Sequence, residues 1–468
     1  MFNRNRTLFN AAATGFLLGC LLVAAAAWPA HTSAQSTSAI ADRDLDAATR
    51  RQVIEELIRQ LRRRYVLPDA VGKIEAGLRA KLDAGAFDSA TSAMKFARSL
   101  TDELRAVGDD LHFGVSYNPT REQALQAAGA GSKAKLPELP LSAQERDALR
   151  RSNYGFRNVG VLLGNVGYLE LTSFADLRYS QETAIAALNF LANADAVIVD
   201  VRGNHGGYGN LVRFMISHFF GPEPVKLLSG YDRETNITKR GWTLRNVPGK
   251  RFPTAGLYIL TDRETGSAAE AFAFTLQQVG RGKTVGDRTV GAAHGGGWVP
   301  VGQGFIAFIP TFRGFNPYTG KSWNNTGVQP DIPAPADKAL EVAHLEAVKG
   351  LLAKATADSQ KQALSWIVPL LELRAFGEKP VPPSRLNDYV GSYEGITVSL
   401  AEGQLYFLGA SGVRRRLLAI ADDLFLVEDH SVPAENQARA RFVRNADSRV
   451  SELQLLVNDG RVFRRPRK

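Results

Sequence analysis

Residues 42–108 repeat their apolar positions at helical spacing. Ile54, Leu57, Ile58 and Leu61 fall on one face, and "SATSAMKFARSLTDELRAVG" carries a second amphipathic pattern. A helical N-terminal domain is therefore expected over residues 40–110. The strand-like "LHFGVSY" follows, and then a polar Ala- and Pro-bearing stretch over 118–141 that reads as loop. Residues 111–155 are expected as strand and linker. From Phe156 to Val301 the pattern alternates. "NVGVLLGNVGYLELTSF" reads as a hairpin turning at Gly164-Asn165, and a helix is expected over 180–192. The buried-strand run "AVIVDV", a glycine-rich loop, the helical "NLVRFMISHFF" and the strand "GLYILT" come next. Such alternation predicts an α/β layered core over 156–375, closed by helices from about Ala336 to Leu373. After the Pro-rich break "GEKPVPPSR", short alternating segments separated by Gly, Asp and Asn predict a small antiparallel β domain over 384–468.

Composition adds a compartment. The first 34 residues carry Arg4 and Arg6, an apolar run and a small-residue exit at Thr32-Ser33-Ala34, the layout of a cleavable secretory signal. A periplasmic or secreted protein is expected, meeting the membrane only through the uncleaved leader; a retained anchor is the rival. Cys20 is the only cysteine and sits inside the leader, with the apolar run continuing past it. The mature chain then has no disulfide, thiolate nucleophile or Cys-ligated metal, which suits an oxidising compartment. The formal net charge is +10. Its basic runs, Arg62-Arg63-Arg64, Arg414-Arg415-Arg416 and "RRPRK", have no aromatic stacking platform beside them. They read as solvated faces rather than a nucleic-acid site.

Candidate chemistry centres on "TDRETGSAAEAFAFTLQQVG". Ser267 lies at the mouth of a predicted helix, whose opening N–H groups lack partners and whose end is electropositive. An N-cap serine and a nucleophile are both compatible with that place. Gly203, Gly206, Gly207 and Gly209 follow the strand "AVIVDV" directly, where glycine lets backbone N–H groups approach a ligand. One N–H from this loop and that of Ala268 would make a two-donor oxyanion hole. No phosphate-loop Lys-Ser/Thr follows. His112, His205 and His294 are the candidate bases, since an imidazole has the basicity to take a proton near neutral pH.

In order, "VGYLELTSF", "AVIVDVRGNHGG", "TGSAAEAFAFTLQQVGRGKTVGDRTVG" and "GVQPDI" resemble the core of the S41 serine peptidases. That group includes the C-terminal processing proteases, the tricorn core and the interphotoreceptor retinoid-binding proteins. The helical start with "DDLHFGVSY" is similar to the retinoid-binding-protein-like branch. The resemblance implies a crotonase/ClpP-like ββα core and a serine peptidase acting on proteins or peptides through an acyl-enzyme. It implies Ser267 as nucleophile, and the N–H groups of Ala268 and Gly206 or Gly207 as oxyanion donors. No cofactor, zinc or nucleotide has a part in this scheme. The lysine base of the processing branch maps to Ala292, so a Ser-Lys dyad is not expected. The histidine of the other branch maps to His112, with His294 left open as the alternative base. The glutamate that supports this histidine maps to Asn324, and Glu270, one turn beyond Ser267, is a second candidate for orienting the base. No PDZ-like segment is evident between Asn118 and Phe156. A weak or inactive scaffold of the same type, binding an apolar ligand or peptide, is the alternative. Acyl-CoA chemistry on a crotonase-like core is a third reading, against which the leader argues. The oligomeric state is left open.

Overall fold

The computed structural model describes residues 40–129 and 139–468, so the leader expected at 1–34 and part of the expected linker lie outside the described residues. In chain order, helices α1 (Ala47–Arg64), α2 (Pro68–Asp83) and α3 (Ala93–Gly108) come first, followed by strand β1 (Gly114–Tyr117). Two short helices follow, α4 (Pro119–Gly129) and α5 (Ala143–Arg151). The central part runs β2 (Phe156–Leu162), β3 (Val166–Leu171), α6 (Leu177–Phe190), β4 (Ala196–Asp200), α7 (Gly209–His218), β5 (Lys226–Asp232), β6 (Ile237–Trp242), β7 (Gly256–Thr261) and α8 (Ala268–Gln278). It continues with β8 (Lys283–Gly286), β9 (His294–Gly302), β10 (Phe305–Phe315), β11 (Ile332–Pro333), α9 (Ala339–Lys354) and α10 (Asp358–Phe376). Eight antiparallel strands between residues 391 and 466 finish the chain, as a meander with its own core around Tyr389, Tyr393, Phe425 and Phe442.

The stretch expected as strand and linker over 111–155 is a correction, because it holds α4 and α5. Pro119 sits at the start of α4, where its missing N–H costs nothing, and the Asn118 side chain accepts from Arg121 N at 2.9 Å. Buried Glu122 then accepts the Gly304 N–H at 2.7 Å, tying α4 to the β9–β10 turn. For α5 the signal was present in the sequence. Ser142 and Glu145 form a reciprocal capping box, which satisfies two helix-start donors.

The central sheet has the order β11-β8-β7-β4-β3-β2, parallel throughout except for the β2–β3 hairpin. The central strands β4 and β7 are buried on both faces, and successive residues serve different cores. Val197 and Val199 of β4 pack with Leu188, Met215 and Phe272 from the α6, α7 and α8 side. Ala196 and Ile198 pack with Leu345, Val348 and Ile367 from α9 and α10. A strand buried on both faces between helical layers is the α/β arrangement expected from "AVIVDV". A second, antiparallel sheet has the order β1-β10-β5-β6, with β9 on the other edge of β10. Helices α1 and α3 pack on it through Leu57, Phe96 and Leu100 against Val299, Phe305 and Ile309, and α2 packs on those two helices. That packing holds the turn between α3 and β1 beside the start of α8.

Candidate active site

Strands β4 and β7 are parallel neighbours, and the loops leaving their C-terminal ends lie side by side, where open α/β sheets form their crevices. Buried Asn204 shapes the first loop. Its Nδ2 donates to Leu171 O at 2.6 Å, its Oδ1 accepts Gly206 N–H at 2.8 Å, and its carbonyl accepts Gly266 N–H at 2.9 Å. Asp262 holds the second loop, accepting from Gly203 N at 3.0 Å and from Thr265 N at 2.8 Å. The two turns are thus stitched together by short polar side chains.

Ser267 stands at the N-cap of α8 with φ 52° and ψ −116°. A positive φ is disfavoured for a residue with a Cβ and costs on the order of 1–3 kcal/mol. Glu270 opposes that cost. Fully buried, it accepts the N–H groups of Ser267 at 2.8 Å, Gly291 at 2.6 Å and Ala292 at 2.8 Å, and the Thr289 hydroxyl at 2.5 Å. Burial pushes the Glu270 carboxyl up, and these four bonds pull against it. The Ser267 hydroxyl makes its contact with His112, Nε2 to Oγ at 3.0 Å.

His112 comes from the turn after α3. Its side chain is 15% exposed, and its Nδ1 is buried without a hydrogen-bond partner. The nearest carboxylate oxygen is Asp110 Oδ1 at 3.7 Å, beyond hydrogen-bond length. Asp110 Oδ1 accepts the His112 backbone N–H at 3.0 Å, while Oδ2 accepts from His294 Nδ1 at 2.7 Å and from the Tyr65 hydroxyl at 3.2 Å. Burial pushes the Asp110 carboxyl up, but the two imidazoles and the backbone N–H outweigh it and hold it well below the usual carboxylate range. Tyr65 moves the other way, raised by burial and by the facing carboxylate.

Of the expected residues, Ser267, Ala268, Gly207 and His294 border one cavity of about 490 Å³. Gly207 has φ 134°, and a Cβ there would come within 2.1 Å of Phe174 O. No protein acceptor among the described residues takes its N–H or that of Ala268. Gly206 differs, because its N–H is spent on Asn204; of the glycine pair, Gly207 has the amide left for a ligand. What Gly206 supplies is closeness, since a Cβ on it would sit 2.7 Å from both Ala268 N and Ser267 Cβ. The orienting role expected of Asn324 or Glu270 does not fit these contacts. Asn324 bonds Ala293 N at 3.3 Å and Asn325 Oδ1 at 3.2 Å, and the Glu270 oxygens serve backbone and Thr289. Asp110, Tyr65 and Asn204 were missed. The "DDLH" segment held the signal for Asp110; nothing local marked the other two. At the lysine position of the processing branch, Ala292 lies in the cavity wall. Among the described residues no cluster of His, Cys, Asp or Glu is placed to hold a metal ion. A hydroxyl 3.0 Å from an imidazole can attack an acyl carbon, and the free amides beside it at the helix start can donate to the oxygen that becomes negative.

Two outcomes are expected. Ser267→Gly and Ser267→Ala both lose the hydroxyl, yet only glycine relieves the positive φ, so Ser267→Gly should be the more stable of the two by about 1 kcal/mol in denaturant titration. The folded-state value of Asp110 is depressed, so its contribution to stability is present above the ordinary carboxylate value of about 4 and is lost as pH falls through the folded value. The stability gap between the unsubstituted protein and Asp110→Asn should therefore shrink as pH falls below that value.

The chain matches the family profile described as "Peptidase family S41" over residues 165–334, and the "N-terminal domain of Peptidase_S41 in eukaryotic IRBP" over 46–154. It is 26% identical over 170 residues to the carboxy-terminal processing protease CtpB of Bacillus subtilis (strain 168), covering 36% of this chain and 34% of that protein. The chain thus spans about a third of the length of the curated relative it matches. Among solved structures it is similar to the photosystem II D1 C-terminal processing protease, at 16% identity and TM-score 0.41, over 62% of this chain and 94% of that one. It is also similar to mature CPAF, at 12% identity and TM-score 0.43, over 70% and 98%. The two profiles together take in more than half of the residues, and the chain belongs to peptidase family S41.

Proposed function

We propose that this chain is a serine peptidase that hydrolyses peptide bonds through an acyl-enzyme on Ser267. The observation that carries the proposal is the 3.0 Å approach of His112 Nε2 to Ser267 Oγ at the first turn of α8. Ser267 Oγ attacks the peptide carbonyl as His112 takes its proton. The oxyanion is received by the N–H groups of Ala268 and Gly207. The C–N bond then breaks, the amine leaves with the proton from His112, and the acyl group stays on Ser267 as an ester. Water attacks that ester with His112 again as base, and the free carboxylic acid and serine are restored.

Asp110 is the group that faces the imidazolium in this scheme. Proton uptake places a positive charge on a ring whose Nδ1 has no other partner, and attraction closes the 3.7 Å gap to Asp110 Oδ1. His294 and Tyr65 hold the second oxygen, which keeps the first turned toward His112. His294 is therefore a positioning residue acting through Asp110, and His112 is the base.

An alkyl fluorophosphonate is expected to label the purified protein at Ser267, with labelling lost in Ser267→Ala and slowed by at least about a hundredfold in His112→Ala. Undiminished labelling of either variant would remove that residue from the mechanism. A scaffold that only binds apolar ligands would show tight ligand binding with neither labelling nor turnover. Asparagine offers an N–H near the place of His294 Nδ1, so His294→Asn should retain more kcat than His294→Ala, with the two variants' KM values close together. Equal kcat in the two variants would contradict the positioning role.

A further inference from the structure

The cavity of about 490 Å³ beside Ser267 is of the size that receives a small ligand or a large side chain. It runs along one face of α8, past Ala268, Ala271 and Thr275, and is closed by Val212, Phe312 and Trp323. His112 does not border it. In the proposed reaction the leaving amine must lie against His112, which donates its proton, so the cavity receives the acyl half of the substrate.

The floor and the rim of this cavity have different chemistry. In the second sheet Gly314 pairs with Gly230, and Gly230 pairs with Lys239. Residues directly opposite one another in a sheet share a face. The Phe312 ring occupies that face, since a Cβ on Gly230 would come within 1.9 Å of it. The ring thus lies directly over Gly230, which has no Cβ to displace it, and the same row ends in Lys239, on the cavity side of the sheet. Lys239 is exposed, borders the cavity and has no ion pair among the described residues. Arg213 of α7 also borders it, anchored by its Nε to Trp242 O at 2.6 Å and without a carboxylate partner among the described residues. Among the described residues no Asp or Glu borders the cavity. An apolar space whose rim holds unpaired cations and no anion favours an amphipathic, negatively charged occupant.

We propose that the cleft selects peptides with a bulky apolar side chain on the residue whose carbonyl Ser267 attacks, and a carboxylate on the segment just before it, received by Lys239 and Arg213. This specificity rests on the peptidase reading of the same site.

Binding measured on Ser267→Ala separates the two, because it needs no turnover. Fluorescein-labelled peptides that share a Leu and differ only in a preceding Glu, Gln or Lys are titrated by fluorescence anisotropy at low ionic strength. The Glu peptide is expected to bind about fivefold more tightly than the Lys peptide, with Gln between. A peptide with a succinyl cap in place of the Glu side chain supplies the carboxylate from a different place. Tight binding of that peptide alone would assign the site to a terminal carboxylate rather than an acidic residue and overturn the proposal. In the same background Lys239→Glu should reverse the Glu-to-Lys order, and Arg213→Glu should weaken it. Gly314→Val, whose Cβ would meet Trp323 at an ordinary 3.5 Å, should reduce binding of Leu peptides relative to Ala peptides. Equal affinity for Glu, Gln and Lys peptides, or a Glu preference that survives Lys239→Glu, would overturn the proposal. Failure of Ser267 to react with the phosphonate would instead count against catalysis and leave the binding result standing.

Discussion

The backbone of Ser267 is held where a residue with a side chain does not normally go, and the site depends on the groups that hold it there. Its φ of 52° lets α8 start abruptly, with the hydroxyl within 3.0 Å of His112 Nε2. Glu270 binds the Ser267 N–H from three residues further on and fastens the same turn to Gly291 and Ala292. Gly206 comes up against the other side so closely that a methyl group would stand on the Ala268 amide. Strain at one residue is thus offset by a buried carboxylate with four donors and by a loop that accepts only glycine at its point of contact.

The second requirement is assembly from distant parts of the chain. The serine belongs to the parallel-sheet core, while His112 and Asp110 belong to the turn that leaves the N-terminal helices. These parts meet because α1 and α3 pack on β9 and β10. His294 begins β9, so the strand that anchors the helical region also supplies the imidazole that steadies Asp110. In the proposed reaction, packing and proton transfer therefore share the same elements, and a change that loosens the helices from the sheet would also displace His112.

Much of the architecture was legible because it depends on local periodicity: the two-sided apolar strand "AVIVDV", the α1 face and the alternating C-terminal segments. The stretch 111–155 was misread because polar composition hid short helices. Pro119 and the Ser142–Glu145 pair were capping signals inside a segment that otherwise looked like linker. At the site, Ser267 and the glycine loop could be found because a helix start and a strand end announce themselves in sequence. The surroundings of His112 are not legible in the sequence because their geometry is tertiary. Asp110 meets His294 across 184 positions, and His112 meets Ser267 across 155. Helical spacing puts Glu270 one turn beyond Ser267 and makes it a candidate for orienting the base. Its carboxylate is instead turned into the 289–292 loop, where it accepts the Gly291 and Ala292 N–H groups and the Thr289 hydroxyl.

The central claim is that Ser267 becomes acylated because His112 takes its proton. Intact-protein and peptide mass spectrometry after rapid mixing with an activated peptide ester and an acid quench measures this directly. One acyl group per chain, located on Ser267 and absent from His112→Ala on the same time scale, is the expected result. An acyl group on another residue, or equal acylation of Ser267 without His112, would contradict the account.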